Sequence, residues 1–119
     1  MISAKELKQA VAQCTGTDKY YKAAMFPKSR YTDGVKLFYE KAESYWLVND
    51  ILLYVNYSKL DKEEFLCIKM RVNDGKGDLI FDDGNGNVLE KQHYNFCDLP
   101  DGEWKFYYID GVLLLPSEY

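Results

Sequence analysis

The sequence predicts an α+β domain: two or three N-terminal helices packed on one face of a C-terminal antiparallel sheet of about five strands, arranged as a meander. Three observations predict it. Apolar residues recur at helical spacing as far as about Tyr57. From Glu64 the apolar spacing becomes two. The second half is also punctuated by Asp74-Gly75, Asn85-Gly86 and Asp110-Gly111, dipeptides that accept the positive φ of tight hairpins.

The first helix opens at Ser3-Ala4-Lys5-Glu6, a capping box in which side chain and backbone satisfy each other. Leu7, Ala10, Val11 and Cys14 follow at helical spacing, and Thr15-Gly16-Thr17 is expected to end the helix, with Gly16 taking positive φ. Asp18 to Arg30 reads as a loop laid across the core by Tyr20, Tyr21, Met25 and Phe26, with Pro27 excluding helix at Phe26. Thr32 or Asp33 caps a second helix whose apolar face is Val35, Phe38, Tyr39, Ala42 and Trp46. Ser44 is a point of interruption, after which Leu47, Ile51, Leu52 and Val55 continue the pattern. Trp46 is expected in the helix–sheet core.

Strands are expected at Glu64–Val72, Leu79–Asp82, Val88–Phe96, Trp104–Ile109 and Val112–Leu115, the last ended by Pro116, which has no N–H for a ladder. Cys97 to Glu103 is a longer connection. No repeat, low-complexity tract or linker divides residues 1–119, so one domain is expected. A chain of 119 residues buries roughly 65% of the surface its unfolded form exposes, enough for one core.

A net charge of −4 disfavours a strongly basic nucleic-acid binder, though not a local basic patch. No signal peptide or membrane span is legible, and the three cysteines form no CxxC or Cys/His pattern. A cytoplasmic protein with reduced thiols is the expectation. Eleven tyrosines suit half-buried strands and binding surfaces alike.

Strand alternation separates two faces. Leu66, Ile68, Met70 and Val72, then Val88, Tyr94 and Phe96, then Trp104, Phe106 and Tyr108 are expected inward. Lys69, Arg71, Lys91, His93, Lys105 and Tyr107 then point outward, a basic stripe with two rings on an acidic protein and the candidate partner-binding surface. A meander also brings Asp82, Asp83 and Asp110 to one acidic rim, and Asp74, Asp78, Asp98, Asp101 and Glu103 to the other.

The turn from Asp82 to Asn87 imitates a calcium loop without its spacing: Val88 stands where glycine is needed and Tyr94 where the bidentate glutamate is needed. His93 and Cys97 share a strand face but lie about 13 Å apart along it, beyond hydrogen-bond reach. No P-loop, GxSxG, HExxH or dinucleotide fingerprint is present. No metal, cofactor or catalytic residue is expected.

The stretches Thr15-Gly16-Thr17 with Tyr20-Tyr21, Phe26-Pro27, Tyr31 to Val35, Tyr45-Trp46-Leu47, Asp82 to Val88 and Leu113 to Tyr119 resemble a family of short bacterial and phage proteins known as a domain of unknown function. The similarity is least from Ser58 to Lys76. The family has no established activity, so the resemblance assigns no functional residue. It implies carriage on phages, plasmids or similar elements, whose small accessory proteins act by binding host machinery, defence systems included. The leading expectation is therefore a non-enzymatic protein that binds a host or phage protein and modulates defence. A nucleic-acid or phosphate-binding module using the stripe is the second reading. A small enzyme with carboxylates at Asp82, Asp83 and Asp110 is the third.

Overall fold

The computed structural model describes residues 2–119. Helix α1 (Ala4–Ala12) opens at the expected capping box: Ser3 Oγ accepts the Glu6 N–H at 3.1 Å, and the Glu6 carboxylate accepts the Ser3 N–H at 3.4 Å. The helix stops earlier than expected, at Ala12, with Gln13 as a right-handed cap. Gly16 is not among the positive-φ residues, so the stop does not depend on glycine geometry.

The segment expected to be a loop is instead a hairpin of β1 (Tyr20–Ala23) and β2 (Phe26–Thr32). Strands therefore precede as well as follow the central helices. Its signal is hidden for a physical reason. The turn is Ala24-Met25, without Gly, Asn or Asp, and the register shifts between Lys22 and Ala23, which breaks the two-residue alternation. Pro27 is tolerated next to the strand's first residue.

Helix α2 (Asp33–Ala42) is capped by Thr32, whose hydroxyl accepts the Val35 N–H at 3.3 Å. Glu43 takes left-handed φ of 51° and Ser44 starts α3 (Tyr45–Tyr57), so the interruption at Ser44 divides two helices. The break also rotates the apolar stripe. Helix α3 buries Leu47, Val48, Ile51, Leu52 and Val55, and Trp46 falls to the margin, half-buried and edge-on to Tyr94 at 5.6 Å. Phe38 of α2, rather than Trp46, is the central ring: it is 1% exposed and packs on Phe106 at 5.1 Å and Trp104 at 5.9 Å.

The remaining strands are β3 (Leu66–Asn73), β4 (Lys76–Asp82), β5 (Val88–Tyr94), β6 (Gly102–Ile109) and β7 (Val112–Leu114). With the hairpin they form one seven-stranded sheet in the order β1-β2-β7-β6-β3-β4-β5. All pairs are antiparallel except β2 with β7, which is parallel through Arg30–Val112 and Tyr31–Leu113. The meander is not formed. The Asn95–Asp101 connection carries β6 past β4 to the far side of β3, so β3 to β6 make a Greek key. Asp74-Gly75 and Asp110-Gly111 have successive positive φ values, as a two-residue type I′ turn requires.

One sheet face carries the core. Leu66, Ile68, Met70, Leu79, Phe81, Phe106 and Leu113 are fully buried there beneath α2 and α3. Two residues expected inward are not: Val88 is 61% and Phe96 is 82% exposed, because β5 is an edge strand that ends at Tyr94. No helix among the described residues is long and apolar enough to cross a membrane.

Candidate functional site

The face opposite the helices is open, and the strand registers place its side chains in rows. The first row crosses β6, β3, β4 and β5 as Glu103, Arg71, Asp78 and His93. Directly opposed residues attract when their charges alternate, as Glu103, Arg71 and Asp78 do, and His93 continues the row with a hydrogen bond to Asp78. Arg71 Nε lies 2.8 Å from Glu103 Oε2, and His93 Nδ1 lies 2.8 Å from Asp78 Oδ1. The Arg71 guanidinium holds the Glu103 carboxyl below its ordinary range. Asp78 and Glu103 thus stand on the open face, not on the rim. Of the other acids expected at that rim, Asp101 accepts the Asp74 N–H at 3.1 Å.

The second row is Lys105, Lys69, Ile80 and Lys91. Lys69 Nζ is 3.7 Å from Asp82, and Lys105 Nζ is 3.6 Å from Glu103. Lys91 makes no ion pair among the described residues. The register thus brings Lys69, Arg71, Lys91, His93, Lys105 and Tyr107 onto one face, but two of them, Arg71 and His93, stand in a row that also carries Glu103 and Asp78. The face also runs further than the sequence indicates: Lys22 and Arg30, opposed on β1 and β2, extend it beyond β7. They lie in the segment read as a loop, which is why no alternation announced them.

The third row joins Leu114, Tyr107, Cys67, Asp82 and Val88. Here three rings meet. Phe65 and Tyr107 have centroids 4.8 Å apart, Tyr107 and Tyr119 5.5 Å, and Phe65 and Tyr119 6.1 Å. Tyr119 is 78% exposed, and Phe65 and Tyr107 are half-buried. Gly84, at φ +86°, holds Phe65 from the side: a Cβ there would lie 2.9 Å from the ring. Phe65 has the parity of Cys67 and Lys69, so extending the outward set by one pair finds it. Tyr119 is brought back by the turn after β7, and nothing in strand periodicity signals that.

The expected acidic rim does not form a site. Asp82 is 5% exposed; besides Lys69 it accepts the Gly84 N–H at 2.7 Å. Asp83 accepts from the Asn87 side chain and from the Asn85 and Asn87 backbone N–H groups, which lower its pKa. Asp110 occupies the β6–β7 turn. β3 lies between the strands that carry Asp82 and Asp110, a separation of roughly 10 Å. No group of three or more His, Cys, Asp or Glu among the described residues is placed to hold a metal ion. Cys97 is buried and its thiol pKa is pushed up by that burial, whereas His93 faces outward.

A second constellation lies where α2 begins. Glu118 Oε1 accepts from the Thr32 hydroxyl at 2.6 Å and the Leu115 N–H at 3.0 Å, and Oε2 accepts the Gly34 N–H at 3.1 Å. A Cβ on Gly34 would lie 2.5 Å from that carboxylate. Asp33 accepts from Asp18 N–H, Lys19 N–H and the Tyr21 hydroxyl, and these donors lower its pKa. Thr17 Oγ1 accepts the Asp33 N–H at 2.9 Å. Four of the stretches that carry the family resemblance, those at Thr17, Tyr21, Tyr31 to Val35 and Leu113 to Tyr119, therefore meet as one structural corner. The anion site at the α2 N-terminus is filled by the protein's own carboxylate.

A family model described as "Family of unknown function (DUF6876)" matches residues 5–119. Comparison with curated proteins and with solved structures finds no match.

Proposed function

The chain belongs to DUF6876, a family of unknown function, and we propose that it is a non-enzymatic binding protein that presents the open sheet face to another protein. The single observation that carries this reading is the Phe65–Tyr107–Tyr119 cluster, half-exposed on a face that no helix covers. Aromatic groups at the centre with charges around them are the anatomy of a protein interface. Tyrosine is among the residues that dominate binding energy when a partner excludes water from it. The Lys105, Lys69 and Lys91 row beside the rings suits an acidic partner surface and orients its approach. The Glu103–Arg71–Asp78–His93 row favours a protein partner over a phosphate backbone, since phosphates would have to displace acids already in place. The resemblance to phage and bacterial proteins puts a host or phage protein first, with defence components among the candidates.

The test is affinity purification from the native host with the parent chain and Tyr107→Ala in parallel, each with and without nuclease. The reading expects one protein retained by the parent, at least tenfold depleted by Tyr107→Ala, and insensitive to nuclease. Equal capture by the variant removes the ring cluster from the site. Capture that nuclease abolishes and that falls steeply with salt replaces this reading with nucleic-acid binding through the same face.

A further inference from the structure

We propose that the Glu103–Lys105 stretch of β6 takes an extended acidic peptide of a partner protein as an added strand, in line with β7. This goes beyond the reading of the open face, because it uses the backbone of the sheet at a different place. β7 is three residues long and β6 is eight, so on that side β6 has a strand partner only at Tyr107, Tyr108 and Ile109.

Two hairpins independently fix which way the remaining backbone groups point. In a two-residue hairpin the residues flanking the turn exchange both hydrogen bonds, and such pairs alternate along the ladder. From Asp110-Gly111, Ile109 and Tyr107 bond toward β7, so Lys105 and Glu103 direct their N–H and C=O to the same side. From Asp74-Gly75, Asn73 and Arg71 bond toward β4, so Val72 and Met70 bond toward β6, where they oppose Gly102 and Trp104. Both routes leave the N–H and C=O groups of Glu103 and Lys105 facing away from β3. The β6–β7 ladder starts only at Tyr107, and no turn or loop bond reaches these four groups among the described residues.

Beside them is a cleft of about 290 Å³ between β6, α1 and the turn after β7. Its apolar lining comes from Val11, Phe38, Trp104 and Leu115. Lys8, whose Nζ stands 5.8 Å from the Trp104 ring centroid, also lines it, as do Lys105 and Glu103, which pair with each other at 3.6 Å. Strand addition takes affinity from main-chain hydrogen bonds and specificity from pockets for alternate side chains. Here the free edge supplies the first, the apolar lining takes an aliphatic side chain, and Lys8, which has no ion pair among the described residues, selects a segment with carboxylates.

The probe is a capped hexapeptide of alternating glutamate and valine, titrated into the full chain with hydrogen exchange followed amide by amide. In the free protein, Glu103 and Lys105 amides should exchange quickly while Trp104 and Phe106 are protected. The peptide should slow Glu103 and Lys105. Two versions N-methylated on complementary alternate residues should separate, one losing about tenfold or more in affinity and the other little, because only every second amide faces β6. Lys8→Glu should weaken binding at an unchanged melting temperature. Glu103 and Lys105 amides already protected without peptide, no binding at millimolar peptide, or equal binding by both methylated versions each overturn the proposal. Perturbation confined to Phe65, Tyr107 and Tyr119 also overturns it, while leaving the open-face reading intact.

Discussion

At the start of α2, two carboxylates satisfy six donors between them; on the open face, Lys22, Arg30 and Lys91 pair with no acid among the described residues. The same side-chain chemistry serves opposite ends. Donors and acceptors that saturate each other build the fold and have nothing left for a ligand. Groups left with rings and unpaired charge in water are available to a partner. The residues that most resemble a signature, around Asp33 and Glu118, therefore belong to the architecture, and the less conspicuous Tyr107 is the better binding candidate.

The largest effect that tests this contrast is at the corner. Glu118→Ala leaves the Thr32 hydroxyl and two backbone N–H groups without their acceptor, and should cost roughly 2–3 kcal/mol, read as a lower urea midpoint at unchanged slope. A midpoint equal to that of the parent would mean the corner is not a lock. A smaller loss is expected for Asp33→Asn, with a pH signature. The folded Asp33 pKa is depressed by its donors, so its contribution is complete above the unfolded value near 4 and disappears as pH falls through the folded value. The parent and variant stability curves should stand apart above about pH 4 and draw together as pH falls through the depressed folded value. Curves that stay parallel from pH 3 to pH 7 refute the linkage. The smallest effect on folding is on the open face: Lys91→Glu with Lys105→Glu should leave the melting temperature nearly unchanged. The same double variant should lose binding to the partner identified through Tyr107. Full retention of binding would leave the rings as the whole site and the lysines as a solvated row.

Legibility in the sequence followed the range of the interaction. The capping box at Ser3, the Thr32 cap and the hairpins at Asp74-Gly75 and Asp110-Gly111 involve residues within a few positions of each other, and each is present. So is the facing of β3 and β6, because alternation is local. Strand order is not local. Nothing in β5 or β6 states that they part and that β6 returns to β3; the one hint is the seven-residue connection from Asn95 to Asp101, too long for a tight hairpin. The β1–β2 hairpin is not legible because its turn lacks the usual residues and its bulge spoils the period. The rims fared in between. Because β4 and β6 are both antiparallel to β3, they run in the same direction and end at the same rim, which does put Asp82, Asp83 and Asp110 at one end, yet the intervening strand keeps them from converging.

The parallel pair between Arg30 and Val112 has a consequence for how the chain acquires its shape. A hairpin of β1 and β2 formed early in synthesis has no neighbour to join until β7 has left the ribosome, more than eighty residues later. Pairings this distant in sequence must close a large loop before any contact rewards it, and they slow folding accordingly. The Greek key of β3 to β6 has most of its partners close by in sequence and is free to assemble first. A nascent chain interrupted before Val112 would thus carry a hairpin that α2 and α3 can cover but that has no strand beside β2, the state in which exposed strand edges invite aggregation.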